Sequence, residues 1–439
     1  MAYNEEETRF HLIDPVLRRK GYDDPQRIRL ETPAPVEPTG PKGRRSKRAG
    51  RTDYLLCVQV GGHPRPLAVA VLEAKRESAD ALAGMDQAKA YADCTRFDVQ
   101  YVFASNGHLF GEFDKPSGHQ FPLRPLDDFP AHADLCTRYA RDKGLDLAAP
   151  DAAVLFQPDS PAWSATRYYQ DAAIRAALEK IVQARQNGAG TGGQPGPRVL
   201  LALATGAGKT IIATNLLWRM VQAGLCPKPA LFLCDRDELR EQAYTKLQAA
   251  FGGNVRIAET VRGRNAAANA RIHVATYQTL GIDEHGDGSF LATHYGENAF
   301  SVILIDECHR SAWGRWSQVL QRNPAAIHIG LTATPRRLAA PRPARQRPPA
   351  EAEAVAAATA ADAAITAHNA LYFGEPVYAY TLAQAQDDGY LAACEIISRK
   401  ADIDDQRFTR EQILQAGVRD IKTGRPLTAD DLPKAEYTG

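Results

Sequence analysis

The sequence predicts an α/β chain: a small mixed sheet with helices, then a parallel-sheet lobe, then the start of a second lobe. Three observations predict it. Between residues 160 and 336, short apolar segments at 199–203, 230–234, 272–275, 302–305 and 327–331 alternate with helical stretches, the pattern of a parallel sheet with crossover helices. Residues 1–130 carry strand and helix signals in a mixed order, as an α+β unit does. Residues 337–366 are rich in Ala, Pro and Arg, and ordinary composition returns only from 371.

The front part reads element by element. Residues 5–20 form a helix with Phe10, Leu12, Ile13, Val16 and Leu17 on its apolar stripe. Residues 33–38, with three prolines, and the basic run after them form a loop. Strands are expected at 53–60 and 67–75, joined by Gly61, Gly62, His63 and Pro64. A helix at 78–93, a strand at 99–104, a turn at 105–107 and a strand at 109–113 complete the unit. The expected divisions are 1–130, a linker 131–161, the parallel-sheet lobe 162–336, an inserted stretch 337–368, and the beginning of a second lobe 369–439.

Bulk properties set the class. A chain of 439 residues is too long for one core, and 44% hydrophobic with 24% charged residues is ordinary for a soluble protein. No apolar run is long enough to cross a bilayer, and the acidic N-terminus lacks the features of a signal peptide. Seven scattered cysteines without metal-ligand spacing read as reduced thiols, so a cytoplasmic protein is expected. A net charge of +1 does not mark the whole chain as a nucleic-acid binder. The charge is patterned, however: Lys42, Arg44, Arg45, Lys47, Arg48 and Arg51 form a run without acids. Alone this reads equally as a solvated loop or a phosphate-contacting arm; its position just before Asp53 favours the arm.

Two constellations carry chemistry. The first is Asp53, then Glu73-Ala74-Lys75, then Gln87 and Tyr91. Phosphodiester hydrolysis needs a divalent ion, and hard Mg2+ takes carboxylate oxygens. Asp53 and Glu73, at the ends of adjacent strands, can supply two such ligands. Glu73 and Lys75 are two apart on a strand and share a face, so Lys75 can hold the attacking water or offset transition-state charge. Gln87 and Tyr91 are four apart on a helical face. Glu5 and Glu6 both fall within the arc of the first helix's apolar stripe, where a carboxylate needs a partner.

The second constellation is Ala204-Thr205-Gly206-Ala207-Gly208-Lys209-Thr210, which follows an apolar strand and opens a helix. Backbone N–H groups there cradle phosphates, Lys209 reaches the β and γ oxygens, and Thr210 holds Mg2+. The strand at 302–305 ends in Asp306-Glu307-Cys308-His309. Asp306 suits the Mg2+ shell and Glu307 the attacking water, with His309 coupling nucleotide state to DNA.

These residues resemble known families. Asp53, Glu73 and Lys75 with Gln87 and Tyr91 resemble the RecB-like branch of the PD-(D/E)XK nucleases, which implies that the first three are catalytic and the last two support the site or contact DNA. Arg167-Tyr168-Tyr169-Gln170 resembles the adenine-sensing motif of superfamily-two helicases, with Gln170 suited to the base edge. Residues 231–236, ending in Asp235 and Arg236, and the segment around Thr276 resemble strand-tracking motifs. Thr332-Ala-Thr334-Pro335 resembles the coupling motif. The general phosphate-loop pattern has a glycine where this chain has Leu203, a departure the helicase version tolerates.

A nuclease fused ahead of such a lobe resembles the R subunit of type I restriction enzymes. The opening Glu5-x-x-Thr8-Arg9 matches that family and selects Glu5 as a supporting residue. Tyr372 to Tyr380 and Asp388 to Leu391 resemble its entry into the second motor lobe. The resemblance implies ATP and Mg2+ as cofactors, and duplex DNA with methyltransferase and specificity subunits as partners, away from membranes. Measured against that family, the later helicase motifs, the arginine finger among them, are absent from these 439 residues. A complete nuclease joined to half a motor is therefore expected, binding ATP weakly on its own. A stand-alone helicase–nuclease, or a DNA-binding remnant without a motor, would share these motifs.

Overall fold

A computed structural model describes residues 2–36, 48–60, 65–93, 99–115, 117–163, 167–282, 289–306, 318–333, 371–387, 390–392, 407–418, 425–432 and 436–438. Most of the basic run and the Ala/Pro/Arg-rich stretch lie outside these residues. The chain forms two compact units, 1–391 and 392–439.

The first unit begins with α1 (Glu5–Thr8), a π-helical turn (Arg9–Ile13) and α2 (Asp14–Arg19). The expected single helix is thus interrupted. The extra residue in the π turn shifts the phase of the stripe, so Phe10 points out, 64% exposed, while Ile13, Val16 and Leu17 are buried. A six-stranded sheet follows in the order β1-β2-β3-β4-β5-β6. Its strands are β1 (Ile28–Val36), β2 (Arg48–Val58), β3 (Leu67–Ala74), β4 (Tyr101–Ser105), β5 (Leu109–Asp114) and β6 (His119–Pro125). Neighbouring strands are antiparallel except β3 and β4, which run parallel.

Two strands correct the sequence expectation. Pro33 and Pro35 lie in β1 rather than in a loop, paired with Arg51 and Ala49 of β2; β1 is an edge strand, where a missing N–H need not break a ladder. β6 was not expected at all, because six of its seven residues are exposed and its Phe121 and Leu123 are separated by Pro122, a residue that disfavours strands. Helices cover both faces. Leu55, Cys57 and Val71 pack on Met85, Ala88 and Tyr91 of α3 (Met85–Asp93). On the other face, Tyr54, Leu56 and Leu72 belong to a core with Ile13, Leu17, and Leu135 and Tyr139 of α4 (His132–Lys143).

The segment 131–161, expected as a linker, holds α4 and a 3-10 turn (Pro150–Phe156). Ala152, Val154, Leu155 and Phe156 of that turn are buried in the same core, which runs on into the next lobe. That lobe is a seven-stranded parallel sheet in the order β15-β7-β14-β13-β8-β12-β9. The strands are β7 (Arg198–Leu203), β8 (Ala230–Cys234), β9 (Val255–Ile257), β12 (Ile272–Thr276), β13 (Val302–Ile305), β14 (Ile327–Thr332) and β15 (Tyr378–Tyr380). A two-stranded hairpin, β10 (Thr260–Val261) with β11 (Arg264–Asn265), sits between β9 and β12. Helices α5 (Tyr168–Gln186), α6 (Lys209–Gln222) and α7 (Asp237–Phe251) contribute to one core, and α8 (Ser289–His294) contributes Leu291 to the other.

The segment expected to open a second lobe divides near Leu391. β15 pairs in parallel with β7 and completes the first sheet. The second unit contains an antiparallel pair, β16 (Arg407–Thr409) with β17 (Glu436–Thr438), and a helix, Arg410–Gln415, capped by Thr409.

Two helices of the parallel lobe hold the front sheet. Arg175 of α5 donates to the Ala68 carbonyl of β3 at 2.7 Å. Arg219 of α6, 1% exposed, donates from Nε to Asp159 Oδ1 at 2.9 Å, and Arg65, just before β3, pairs with Asp159 and with Asp171 of α5. Burial and the neighbouring Arg65 lower Arg219 to about 10.

Candidate active sites

The front sheet brings together every residue of the first constellation. Asp53 on β2 accepts the Ala74 N–H at 2.7 Å through Oδ2, which fixes the two strands at the site. Glu73 on β3 is 2% exposed. Lys75 follows β3, and its Nζ lies 3.2 Å from Glu73 Oε1, 3.1 Å from Gln87 Oε1 and 3.7 Å from Glu5 Oε2. Gln87 donates in turn to the Tyr91 hydroxyl at 3.0 Å, one turn along α3. Gly84 closes a short 3-10 turn (Ala81–Gly84) against this group; a Cβ there would sit 3.1 Å from both Glu73 Cγ and Lys75 Cε. Glu5 is on the site's rim rather than on a buried stripe, with its side chain 48% exposed.

The electrostatics suit a cation. Burial, with Asp53 beside it, raises Glu73 well above the ordinary carboxylate range, and burial raises Asp53 as well. Glu73 Oε2 is buried and has no hydrogen-bond partner among the described residues, a costly state for a carboxylate oxygen. A divalent ion between Asp53 and Glu73 would satisfy it, so the donor set fits Mg2+. Among the described residues no group of three or more His, Cys, Asp or Glu forms a ready cage; two carboxylates leave the remaining positions to water and phosphate. A pH consequence follows for the metal-free chain. Glu73's raised folded value means its contribution to stability is present below the ordinary 4.5 and is lost as pH rises through the raised value. Thermal midpoints without metal should therefore fall as pH rises from about 5 toward 8, and Glu73→Gln should flatten that slope.

Sequence reasoning gave no role to three residues here. Arg9, from the π turn, lies 3.1 Å from Asp53 Oδ1, pairs with Glu31 of β1 and stacks over the Tyr54 ring at 5.1 Å. Its only sequence signal was its place in Glu5-x-x-Thr8-Arg9.

In the parallel lobe, the phosphate loop joins β7 to α6, with Gly206 and Gly208 in left-handed backbone at φ 86° and 84°. Thr205 and Gly206 are exposed, and Lys209 is buried at the start of α6 with Thr210 half-buried beside it. Gln170 is 3% exposed; its Nε2 donates to the Ala207 carbonyl at 3.0 Å and its Oε1 accepts from Arg167 N. The amide nitrogen thus braces the phosphate loop, while the amide oxygen caps the start of Gln170's own helix. Tyr169 stacks on Tyr380 of β15, with centroids 4.0 Å apart, and its hydroxyl also donates to Ala207 O. A Cβ on Gly208 would lie 2.5 Å from Gln170 Nε2. Left-handed backbone with a side chain costs about 1–3 kcal/mol, so Gly208→Ala should weaken binding of a fluorescent ATP analogue by about tenfold or more.

Asp306, Thr332 and Thr276 are buried at or just past the C-terminal ends of β13, β14 and β12. Asp235 and Arg236 follow β8, with side chains 3.7 Å apart. The C-terminal edge of a parallel sheet is where such folds bind ligands. Glu307, His309 and Thr334 lie outside the described residues.

A phosphate loop on a parallel sheet whose strand ends carry Thr and Asp defines a RecA-like, helicase-type lobe. Residues 164–337 match the family described as Type III restriction enzyme, res subunit. The chain is 31% identical over 398 residues to the EcoAI type I restriction endonuclease subunit of Escherichia coli, covering 89% of this chain and 43% of that protein. It is 26% identical to the EcoKI endonuclease subunit of Escherichia coli strain K12, covering 91% and 36%. A fragment structure of a type I HsdR subunit from Vibrio vulnificus YJ016 aligns with a TM-score of 0.60 and 28% identity, over 89% of this chain and 61% of that one. The chain is thus the counterpart, in sequence and fold, of the N-terminal portion of type I restriction endonuclease (R) subunits, and spans less than half of the two E. coli relatives. No described helix is long and apolar enough to cross a membrane.

Proposed function

We propose that this chain is the nuclease and ATP-binding part of an R subunit that cleaves unmodified foreign duplex DNA with Mg2+, fed by ATP-driven translocation. Methyltransferase and specificity subunits would supply sequence recognition, because phosphate contacts position a protein on DNA without reading its bases. The observation that carries the reading is the convergence of Asp53, Glu73, Lys75 and Gln87 in one site, on a chain that also holds a phosphate loop.

Asp53 and Glu73 would hold the Mg2+, which when bound polarises the phosphate and lowers the pKa of its water. The Ala74 N–H keeps Asp53 in place. Lys75, oriented by Glu73 and Gln87, presents its ammonium to the water or to the charge that develops on the phosphate. Tyr91 keeps the Gln87 amide turned so that its oxygen faces Lys75. In the other lobe, Lys209 and Thr210 would hold the triphosphate and its Mg2+, and Asp306 the metal's outer shell; Glu307 would serve the attacking water. Asp235, Arg236, Thr276, His309, Thr332 and Thr334 would contact DNA or couple it to the nucleotide.

The test is nicking of supercoiled plasmid by the purified chain. Cleavage should require Mg2+, stop on chelation and fall by at least about a hundredfold in Lys75→Ala, the scale of a lost charge-stabilising donor. Equal cleavage by wild type and Lys75→Ala would overturn the assignment.

A further inference from the structure

Two backbone irregularities converge on one side of Asp53. The first helix departs from α geometry at Arg9–Ile13, and the π turn starts with Arg9 itself. Such turns are rare and cluster at functional sites. On β1, Glu31 has φ 49°, a left-handed value for a non-glycine residue. Strain of that kind persists where the surroundings hold it. Leu30 pairs with Tyr54 and Thr32 with Thr52, which brackets Glu31 across from Asp53.

Arg9 joins the two irregularities. Its Nη1 lies 3.1 Å from Asp53 Oδ1 and also meets Glu31 Oε1. Its guanidinium lies over the Tyr54 ring, and Tyr54 is itself pinned by a 2.7 Å bond to Asp14 Oδ1. Arg9 and Asp53 have side chains only 18% and 11% exposed. Asp53 Oδ2 is committed to Ala74 N. Arg9 thus occupies the other oxygen, Oδ1, of the carboxylate that would hold a divalent ion, and its charge opposes that of the ion.

We propose that Arg9 is the removable counter-ion of the nuclease site: a positioning residue that neutralises Asp53 until a divalent cation takes Oδ1, and that Glu31 is the anchor to which it then withdraws. This rests on the nuclease reading above. The arrangement keeps the paired carboxylates folded without metal, and ties opening of the site to arrival of the ion.

The experiment is calorimetric titration of Mn2+ into the purified full chain, without DNA or nucleotide. Asp53→Ala should abolish the binding. Arg9→Ala should tighten it by about tenfold, the effect of removing one partly buried competing charge. Glu31→Gln should weaken it by about threefold, because Arg9 is left with Asp53 alone. A residue that merely supports the fold would move both variants in the same direction. Should the circular dichroism of Arg9→Ala show misfolding, Arg9→Gln carries the same expectation. Unchanged or weaker Mn2+ binding in the Arg9 variant, with binding still lost in Asp53→Ala, would overturn the counter-ion role alone. Equal binding by wild type and Asp53→Ala would overturn the nuclease reading and this inference with it.

Discussion

Replacing Asp53 with alanine should remove Mg2+-dependent DNA cleavage while nucleotide binding at the phosphate loop stays intact. Asp53 is one of two carboxylates at the site, and the other, Glu73, keeps a buried oxygen unpartnered among the described residues. Losing an outer-shell partner of a metal typically costs 10–100-fold; losing one of two protein ligands should cost more than about a hundredfold. The fold should survive, because Arg9 keeps Glu31 and is partly exposed. Asp53→Asn is the sharper control, since its amide oxygen can still accept the Ala74 N–H while its charge is gone. Plasmid nicking and binding of an ATP analogue are read on the same samples. Cleavage at the wild-type rate in both variants would place the nuclease elsewhere.

Asp159→Ala should destabilise the first unit by about 3–5 kcal/mol, the cost of leaving a buried charge without its partner. Arg219 is 1% exposed and holds Asp159 from α6, while Arg65 reaches the same carboxylate from the start of β3. Without Asp159 the two guanidiniums would face each other, with Asp171 lying 2.8 Å from Arg65 and only 4.0 Å from Arg219. Urea denaturation followed by circular dichroism measures the loss. The double variant Asp159→Ala with Arg219→Met should recover much of it, because an apolar side chain of similar length removes the stranded charge. A loss below about 1 kcal/mol in the single variant would mean that water already reaches the pair. The same contact is where α5 and α6, which begin beside the phosphate loop, grip the segment that leads into the strand carrying Glu73.

The strands of the parallel lobe were legible almost to the residue because both of their faces are buried, so their sequences are continuous apolar runs. The short edge strands β9 and β15 escaped, being only three residues long, with exposed positions in each. β1 was masked by its prolines, which only its edge position tolerates. Phe10 was misplaced because a fixed 100° step assumes an unbroken α-helix, and the π turn breaks it.

At the sites the division is similar. Residue chemistry and the two-residue period of a strand determined that Asp53, Glu73 and Lys75 belong to one group and that 204–210 opens a helix as a phosphate loop. Those relations are local, or link strands that follow one another in sequence. Only the tertiary structure decided that Arg9 and Glu31 close on Asp53, since these contacts span 22 and 44 residues. It also decided that Gln170 braces the phosphate loop, that β15 belongs to the first sheet, and that 131–161 is packed rather than free. Each depends on which surfaces meet once the apolar cores form, and one-dimensional periodicity reports that a face is buried without saying what it is buried against.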